Sequence, residues 1–134
     1  MPDSFQLEIV TPTKLVVKEV VEEVQIPGQG GYLGILPGHA PLITELAVGM
    51  ISFRAHGETR SLAVAWGFAE VLQDKVTILA ETAEHPEEID VARAQKAKER
   101  AEQHLKSNDP QLDYDRAQDA LHRAETRLKV ASEK

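Results

Sequence analysis

Residues 76–100 read VTILAETAEHPEEIDVARAQKAKER, and the fold is decided where this stretch changes its period. Val76, Ile78 and Ala80 recur at every second position, flanking Thr77 and Leu79, as one face of a β-strand requires. The alternation stops at His85-Pro86. An acidic run of Glu87, Glu88 and Asp90 follows, and then Ala94, Ala97 and Ala101 repeat at helical intervals. Proline suits a first helical turn, and carboxylates there meet the positive end of the helix dipole. The boundary between a strand-forming part, 1–84, and a helix-forming part, 85–134, therefore falls after Glu84.

The two parts differ in composition as well as in period. Up to Glu84 there are 5 Lys/Arg against 11 Asp/Glu, and beyond it 10 against 11, so the acidity lies in the first part. All 8 Gly and five aromatics (Phe5, Tyr32, Phe53, Trp66, Phe68) precede the boundary, leaving Tyr114 beyond it. Phe5, Leu7 and Ile9 alternate with Gln6 and Glu8, and Val24 and Ile26 flank Gln25. Turn signals at Thr11-Pro12-Thr13, Pro27 to Gly31, Pro37-Gly38, His56-Gly57-Glu58 and Gln73-Asp74-Lys75 separate these runs. Short strands joined this closely predict an antiparallel sandwich or barrel.

The second part is rich in Ala, Glu, Lys and Arg, all good helix formers. Its pattern predicts a helix from about Glu88 to about Leu105, a break at Lys106 to Pro110, and a second helix reaching nearly to Ala131, capped by Asp109 or Ser107. A short turn makes the two antiparallel neighbours. Their facing stripes, Ala94, Ala97, Ala101 and Leu105 on one and Ala117, Leu121, Ala124, Leu128 and Ala131 on the other, are dominated by alanine. Alanine permits close approach but buries little at about 0.8 kcal/mol per CH₂, which predicts a hairpin that is only marginally docked and can open.

Several function classes are excluded early. The net charge of −7 is wrong for a protein that must neutralise nucleic-acid phosphates. The absence of Cys removes thiolate nucleophiles, disulfides and Cys-based zinc sites. No apolar run approaches the roughly 20 residues of a membrane span, and Met-Pro-Asp-Ser lacks the features of a signal peptide, so the expectation is a cytosolic protein without membrane insertion. The cluster Gly28 to Gly34 fails as a phosphate loop: Leu33 stands where a dinucleotide fingerprint needs Gly, and no Gly-Lys-Ser/Thr occurs anywhere. His39 lies in a turn with Pro37 and Gly38 placed as in type II, while His56, His85, His104 and His122 show no metal-type spacing. Glu22 and Glu23, neighbours on a strand, point to opposite faces and cannot act together as acid and base.

The arginines of the hairpin carry more information. Arg93 and Arg100 share a face of the first helix, as do Arg123 and Arg127 on the second. With a turn centred near Asn108, antiparallel pairing sets Arg93 level with Ala124 and brings Arg93, Arg123 and Arg127 together. Such a cluster repels itself unless carboxylates or a bound anion compensate. Two readings stay open on the residues alone: a solvated face with dispersed ion pairs, and a polyphosphate site.

The segment IPGQGGYLGILPGHAPLITEL (26–46), with GMISFRAHGE (49–58), WGFAEVLQDKVTILAETAE (66–84) and the Ala/Arg hairpin, resembles the epsilon subunit of bacterial F-type ATP synthases over essentially the whole chain. The resemblance implies an N-terminal all-β sandwich followed by a C-terminal antiparallel two-helix hairpin, with no catalytic residue, no catalytic cofactor and no metal site. It implies a place in the central stalk against the gamma subunit and the membrane rotor ring, peripheral on the cytoplasmic side of the cell membrane, in a complex coupling a proton gradient to ATP synthesis. The turn bearing Gly31, Tyr32, Pro37, Gly38, His39, Ala40 and Pro41 matches the loop that meets the rotor ring. Tyr32 stands where family members often carry an acidic residue, so the contact expected here is more apolar. Ile89, Asp90, Arg93 and Ala94 fit the Ile/Leu-Asp-x-x-Arg-Ala pattern of members whose folded tail binds ATP, and Glu84, Arg100, Arg123 and Arg127 match the rest of that site. ATP, with or without Mg²⁺, is then a regulatory ligand, and the extended tail reaches the catalytic alpha/beta head and inhibits hydrolysis. The alternatives are an epsilon subunit that inhibits without sensing ATP, an unrelated sandwich interaction module, and a small His- or metal-dependent enzyme.

Overall fold

The computed structural model describes residues 3–133. Eight strands come first: β1 (Phe5–Val10), β2 (Leu15–Val21), β3 (Glu23–Gly28), β4 (Gly31–Ile35), β5 (Leu42–Leu46), β6 (Gly49–Ala55), β7 (Glu58–Val71) and β8 (Lys75–Glu84). A 3-10 turn (Pro86–Glu88) leads into helices α1 (Val91–Lys106) and α2 (Tyr114–Ala131). The strands hydrogen-bond in the order β2-β1-β8-β7-β5-β3-β4, with β6 bridging β3 and β7. Their inward residues share one core: Leu7, Ile9, Val24, Ile26, Ile35, Leu46, Ile51, Leu62, Val76 and Ile78 are all buried within it. This is the β-sandwich and helical hairpin that the resemblance implies.

Period-two patterning works because successive side chains leave a strand on opposite faces. Phe5, Leu7 and Ile9 go in, and so do Val76, Ile78 and Ala80. The ladders are antiparallel except one: β1 runs parallel to β8, joining residues about seventy positions apart, where no tight turn dictates direction. The Gly-rich turn is shorter than expected, since Pro27, Gly28 and Gly31 are already paired and only Gln29-Gly30 turns. His56 and Gly57, both at positive φ, close the β6–β7 hairpin in the manner of a type I′ turn. Leu36 to His39 is the predicted type II turn, with Gly38 at φ +82° and the His39 N–H donating to the Leu36 carbonyl at 3.2 Å.

Strand β7 carries the main irregularity. Its first half pairs with β6, its second half with β5, and β8 lines its other edge. The change of partner falls at Trp66 and Gly67, with φ of +50° and +129°.

Both predicted helix starts need correction. Glu88 lies outside α1: its carboxylate turns back to accept the His85 N–H at 2.9 Å, and it ends a separate 3-10 turn. Ile89 then runs extended into the interior, and Asp90 caps α1 by accepting the Arg93 N–H at 3.0 Å. The second helix is capped by Asp113, which accepts the Arg116 N–H at 3.1 Å, and not by Ser107 or Asp109. Those two bond within the loop instead, Ser107 Oγ to the Asp109 N–H and Asp109 Oδ1 to the Gln111 N–H.

Ala94 and Ala101 of α1 and Ala117 and Ala124 of α2 are buried at the helix–helix seam, while Leu105, Leu121 and Leu128 are only half-buried. Helix α2 packs on β6 and β7, and α1 packs chiefly on α2. A small apolar cluster of Ala63, Ile89 and Val130, flanked by Met50 and Ala131, ties the hairpin to the sandwich.

A Cβ at Gly67 would overlap the Leu79 carbonyl of β8, and the φ there disfavours any L side chain. Gly67→Ala is expected to destabilise the sandwich by about 3 kcal/mol in chemical unfolding followed by strand circular dichroism.

Candidate functional site

Where the end of β8, the 3-10 turn, α1 and α2 meet, they enclose an open cleft of about 630 Å³. Glu84, Glu88, Asp90, Arg93, Ala94, Lys96, Arg100 and Arg127 are among its lining residues. The volume lies within the roughly 300–1,000 Å³ of small-molecule sites. Each carboxylate in it already has work. Glu84 Oε1 accepts from Arg127 Nε at 2.6 Å, joining the sandwich to α2. Glu88 binds Lys14 at 3.2 Å as well as the His85 amide, and Asp90 caps α1. Arg93, Lys96 and Arg100 have no ion-pair partner among the described residues. The cleft therefore presents uncompensated positive charge on one wall, a surface suited to a polyanion.

Of the residues read as an ATP site, Glu84, Asp90, Arg93, Ala94, Arg100 and Arg127 share this cleft. Ile89 lies beneath it in the small apolar cluster. Arg123 does not line it. The loop between the helices is centred nearer Pro110 than Asn108, which shifts the antiparallel register so that Arg93 faces the level of Arg127 rather than Ala124. Arg123 instead stacks on Trp66, its Cζ 5.1 Å from the ring centroid. It also lines a second groove of about 630 Å³ between the helices, with Arg100, His104, Arg116 and Arg127. Lys96, Arg116 and Trp66 were missed by the sequence reading. Lys96 was findable three residues after Arg93 on the same helical face.

The hairpin β3–β4 and the following turn carry Gly31 to Pro41. Tyr32 is exposed, yet its hydroxyl accepts the Met50 N–H at 3.0 Å, and a Cβ on Gly49 would come within 2.7 Å of that oxygen. His39 Nδ1–H donates to the Ala40 carbonyl at 2.7 Å, which holds the ring against its own turn. Pro37 and His39 are half-buried, and Gly31, Gly38, Ala40 and Pro41 are exposed. On the outer face of β5, β7 and β8, Ile43, Phe68 and Leu79 stand 72%, 52% and 54% exposed around a shallow apolar hollow. Sequence reading passed over them because Leu79 and Phe68 fall on the positions of their strands that alternation assigns to solvent.

Comparison with known proteins decides the family. The model for the ATP synthase Delta/Epsilon chain β-sandwich domain matches residues 4–86, and that for its long α-helix domain matches 87–132. The chain belongs to the ATP synthase epsilon family. It is 71% identical over 111 residues to the ATP synthase epsilon chain of Koribacter versatilis, covering 83% of this chain and 78% of that one. It is 52% identical over 105 residues to the epsilon chain of Nitratidesulfovibrio vulgaris strain DP4, covering 78% of each. Among solved structures it is similar to a chain of the Euglena gracilis mitochondrial ATP synthase assembly of OSCP, F1 and c-ring, with TM-score 0.83 and 26% identity, over all of this chain and 84% of that one. A chain of the Tetrahymena thermophila central stalk and c-ring, 15% identical with TM-score 0.55 over 96% of this chain and 94% of that one, shares the fold. As an epsilon chain this protein is a non-catalytic subunit of the ATP synthase central stalk. Among the described residues no helix is long and apolar enough to cross a membrane, and no cluster of His and carboxylates could hold a metal.

Glu88 is the titratable group of the cleft whose environment shifts it. The His85 amide holds its carboxyl below the usual glutamate range; burial opposes this, and the Lys14 ammonium adds to the lowering. A depressed folded value means that its stabilisation is present above the ordinary glutamate range and is lost as pH falls through the folded value. A carbon-detected NMR titration of the Glu88 carboxyl is expected to show a midpoint below about 4.3, and Lys14→Ala to move it upward.

Proposed function

We propose that the sandwich couples the gamma subunit to the membrane rotor ring during proton-driven ATP synthesis, and that the hairpin is a brake on ATP hydrolysis whose position is biased by bound ATP. The observation that carries the second half is the cleft itself, with Arg93, Lys96 and Arg100 uncompensated and Arg127 tied to Glu84 of the sandwich. The triphosphate would lie against Arg93, Arg100 and Arg127, and would bridge both helices to the sandwich edge. By mass action a ligand that binds only this docked arrangement stabilises it, by about 2.7 kcal/mol at a hundredfold excess over Kd. When ATP is scarce the hairpin is released and extends toward the catalytic alpha/beta head. Similarity to a chain of an assembly of OSCP, F1 and c-ring supports the coupling role; a peripheral place at the cell membrane is part of the same proposal.

The two remaining surfaces suit the two stalk partners. The loop from Gly31 to Pro41, with exposed Tyr32 and Leu36, is the rotor-ring face. Its offering to the ring is an aromatic and an aliphatic side chain rather than a carboxylate. The apolar hollow of Ile43, Phe68 and Leu79 is the face for gamma, since apolar area of this kind is stabilised by burial against a partner.

In a calorimetric titration of the full chain, with and without Mg²⁺, Arg93→Ala and Arg127→Ala are each expected to weaken ATP binding about tenfold or more, the scale of a charge-assisted hydrogen bond. Unchanged affinity and unchanged helicity in both would remove the sensor; strong binding without any effect on hydrolysis by the assembled enzyme would remove the brake. Phe68→Glu is expected to abolish co-purification with gamma while leaving ATP binding as in the wild type.

A further inference from the structure

Trp66 is the only tryptophan of the chain, and it sits at φ +50°, a backbone conformation that bulky L-residues avoid and glycine accepts. On either side of it the β7–β8 ladder is regular, Ala65 with Thr82 and Gly67 with Ala80, but Trp66 itself drops out. Its indole meets the Arg123 guanidinium of α2 at 5.1 Å from Cζ to ring centroid. Arg123 makes no ion pair among the described residues, so the ring face is the partner found for its charge. Along α2, Arg123, Arg127 and Val130 follow each other at intervals of four and three, one helical stripe turned to the sandwich. Val130 is buried beside Ala63, and Arg127 holds Glu84.

We propose that Trp66 and Arg123 form a latch that sets how firmly the hairpin is held on the sandwich. A strained conformation persists where its surroundings repay it; within the sandwich the Trp66 N–H reaches the Ala47 carbonyl at 3.4 Å, while its side chain makes a contact between the two parts of the chain. Placed on Trp66, Arg123 does not line the cleft of Arg93, Arg100 and Arg127. Any anion in that cleft is bound without Arg123 while the latch is closed. The proposal rests on the reading of the hairpin as a movable element. It needs no nucleotide, so failure of ATP binding alone leaves it standing.

The test is amide hydrogen exchange on the full chain without nucleotide, for Trp66→Gly, Arg123→Gln and the double variant. In each single variant the α2 amides are expected to exchange about fivefold faster, the scale of a partly desolvated cation–π contact. In Trp66→Gly the β7 and β8 amides should stay at least as protected as in the wild type, because glycine accepts the positive φ. The double variant should be no faster in α2 than the faster single one, since one shared contact is lost. Three outcomes would overturn the latch: α2 exchange unchanged in both single variants, β7 and β8 loosened by Trp66→Gly as much as α2, or effects that add in the double variant.

Discussion

Strand β7 has to satisfy β6, β5 and β8 at once, and it does so by bending where Trp66 and Gly67 both take positive φ. The bend brings the backbone so close to the Leu79 carbonyl that only a residue without a Cβ fits at Gly67. What the sandwich presents to the outside follows from this bend. Before it, Ala63 meets the small core beneath the hairpin; at it, Trp66 meets Arg123; after it, Phe68 emerges on the opposite apolar face beside Leu79. One local conformation thereby distributes the side chains of a single strand between the hairpin and the surface left for a partner.

The hairpin is held by few interactions of comparable size. Ile89 and Val130 are the large apolar side chains fully committed to its attachment, each worth about 1.5–3 kcal/mol of burial at most. The pair of Arg127 with Glu84 is partly exposed, which places it near the ~1 kcal/mol of surface ion pairs despite its short distance. The Ala94, Ala101, Ala117 and Ala124 seam lets the helices approach closely without adding much buried area. Because α1 rests mainly on α2, releasing α2 carries α1 with it. A ligand contributing a few kcal/mol at the cleft is then large against the docking energy, whereas the same ligand would scarcely change the stability of the sandwich core.

Period and punctuation made most of this legible in advance. The alternations of Phe5 to Ile9 and Val76 to Ala80, and the change after Glu84, place the core and the boundary, because burial on one face constrains which residues can stand there. The helix starts were less legible. Ser107, Asp109 and Asp113 are all competent caps, and the choice among them depends on how much loop the α2 docking position requires, which is a tertiary matter. The same uncertainty of a few residues decided which arginine joined the cleft: moving the loop centre from Asn108 toward Pro110 exchanges Arg123 for a closer pairing of Arg93 with Arg127. Trp66 carried no signal of its own, since an aromatic in a strand reads as ordinary core until its φ is known. The apolar face of Ile43, Phe68 and Leu79 was hidden for the converse reason, because alternation marks those positions as outward without saying whether they gather into one apolar patch.

The cleft has no existence apart from the docked hairpin. Its walls come from the end of β8, the 3-10 turn, α1 and α2, so that lifting the hairpin off the sandwich takes Arg127 from Glu84 and dissolves the site. Under the proposed reading an anion in the cleft favours the docked position, and by linkage whatever strengthens docking would strengthen its binding by the same factor. Arg93, Lys96, Arg100 and Arg127 all stand on the hairpin, so their mutual repulsion is present in either position; docking adds the carboxylate of Glu84, which pairs with Arg127, and the ring of Trp66, which takes Arg123. On that reading the small apolar attachment matters as much as the charge, since a hairpin bound too tightly by its core would leave an anion nothing to decide.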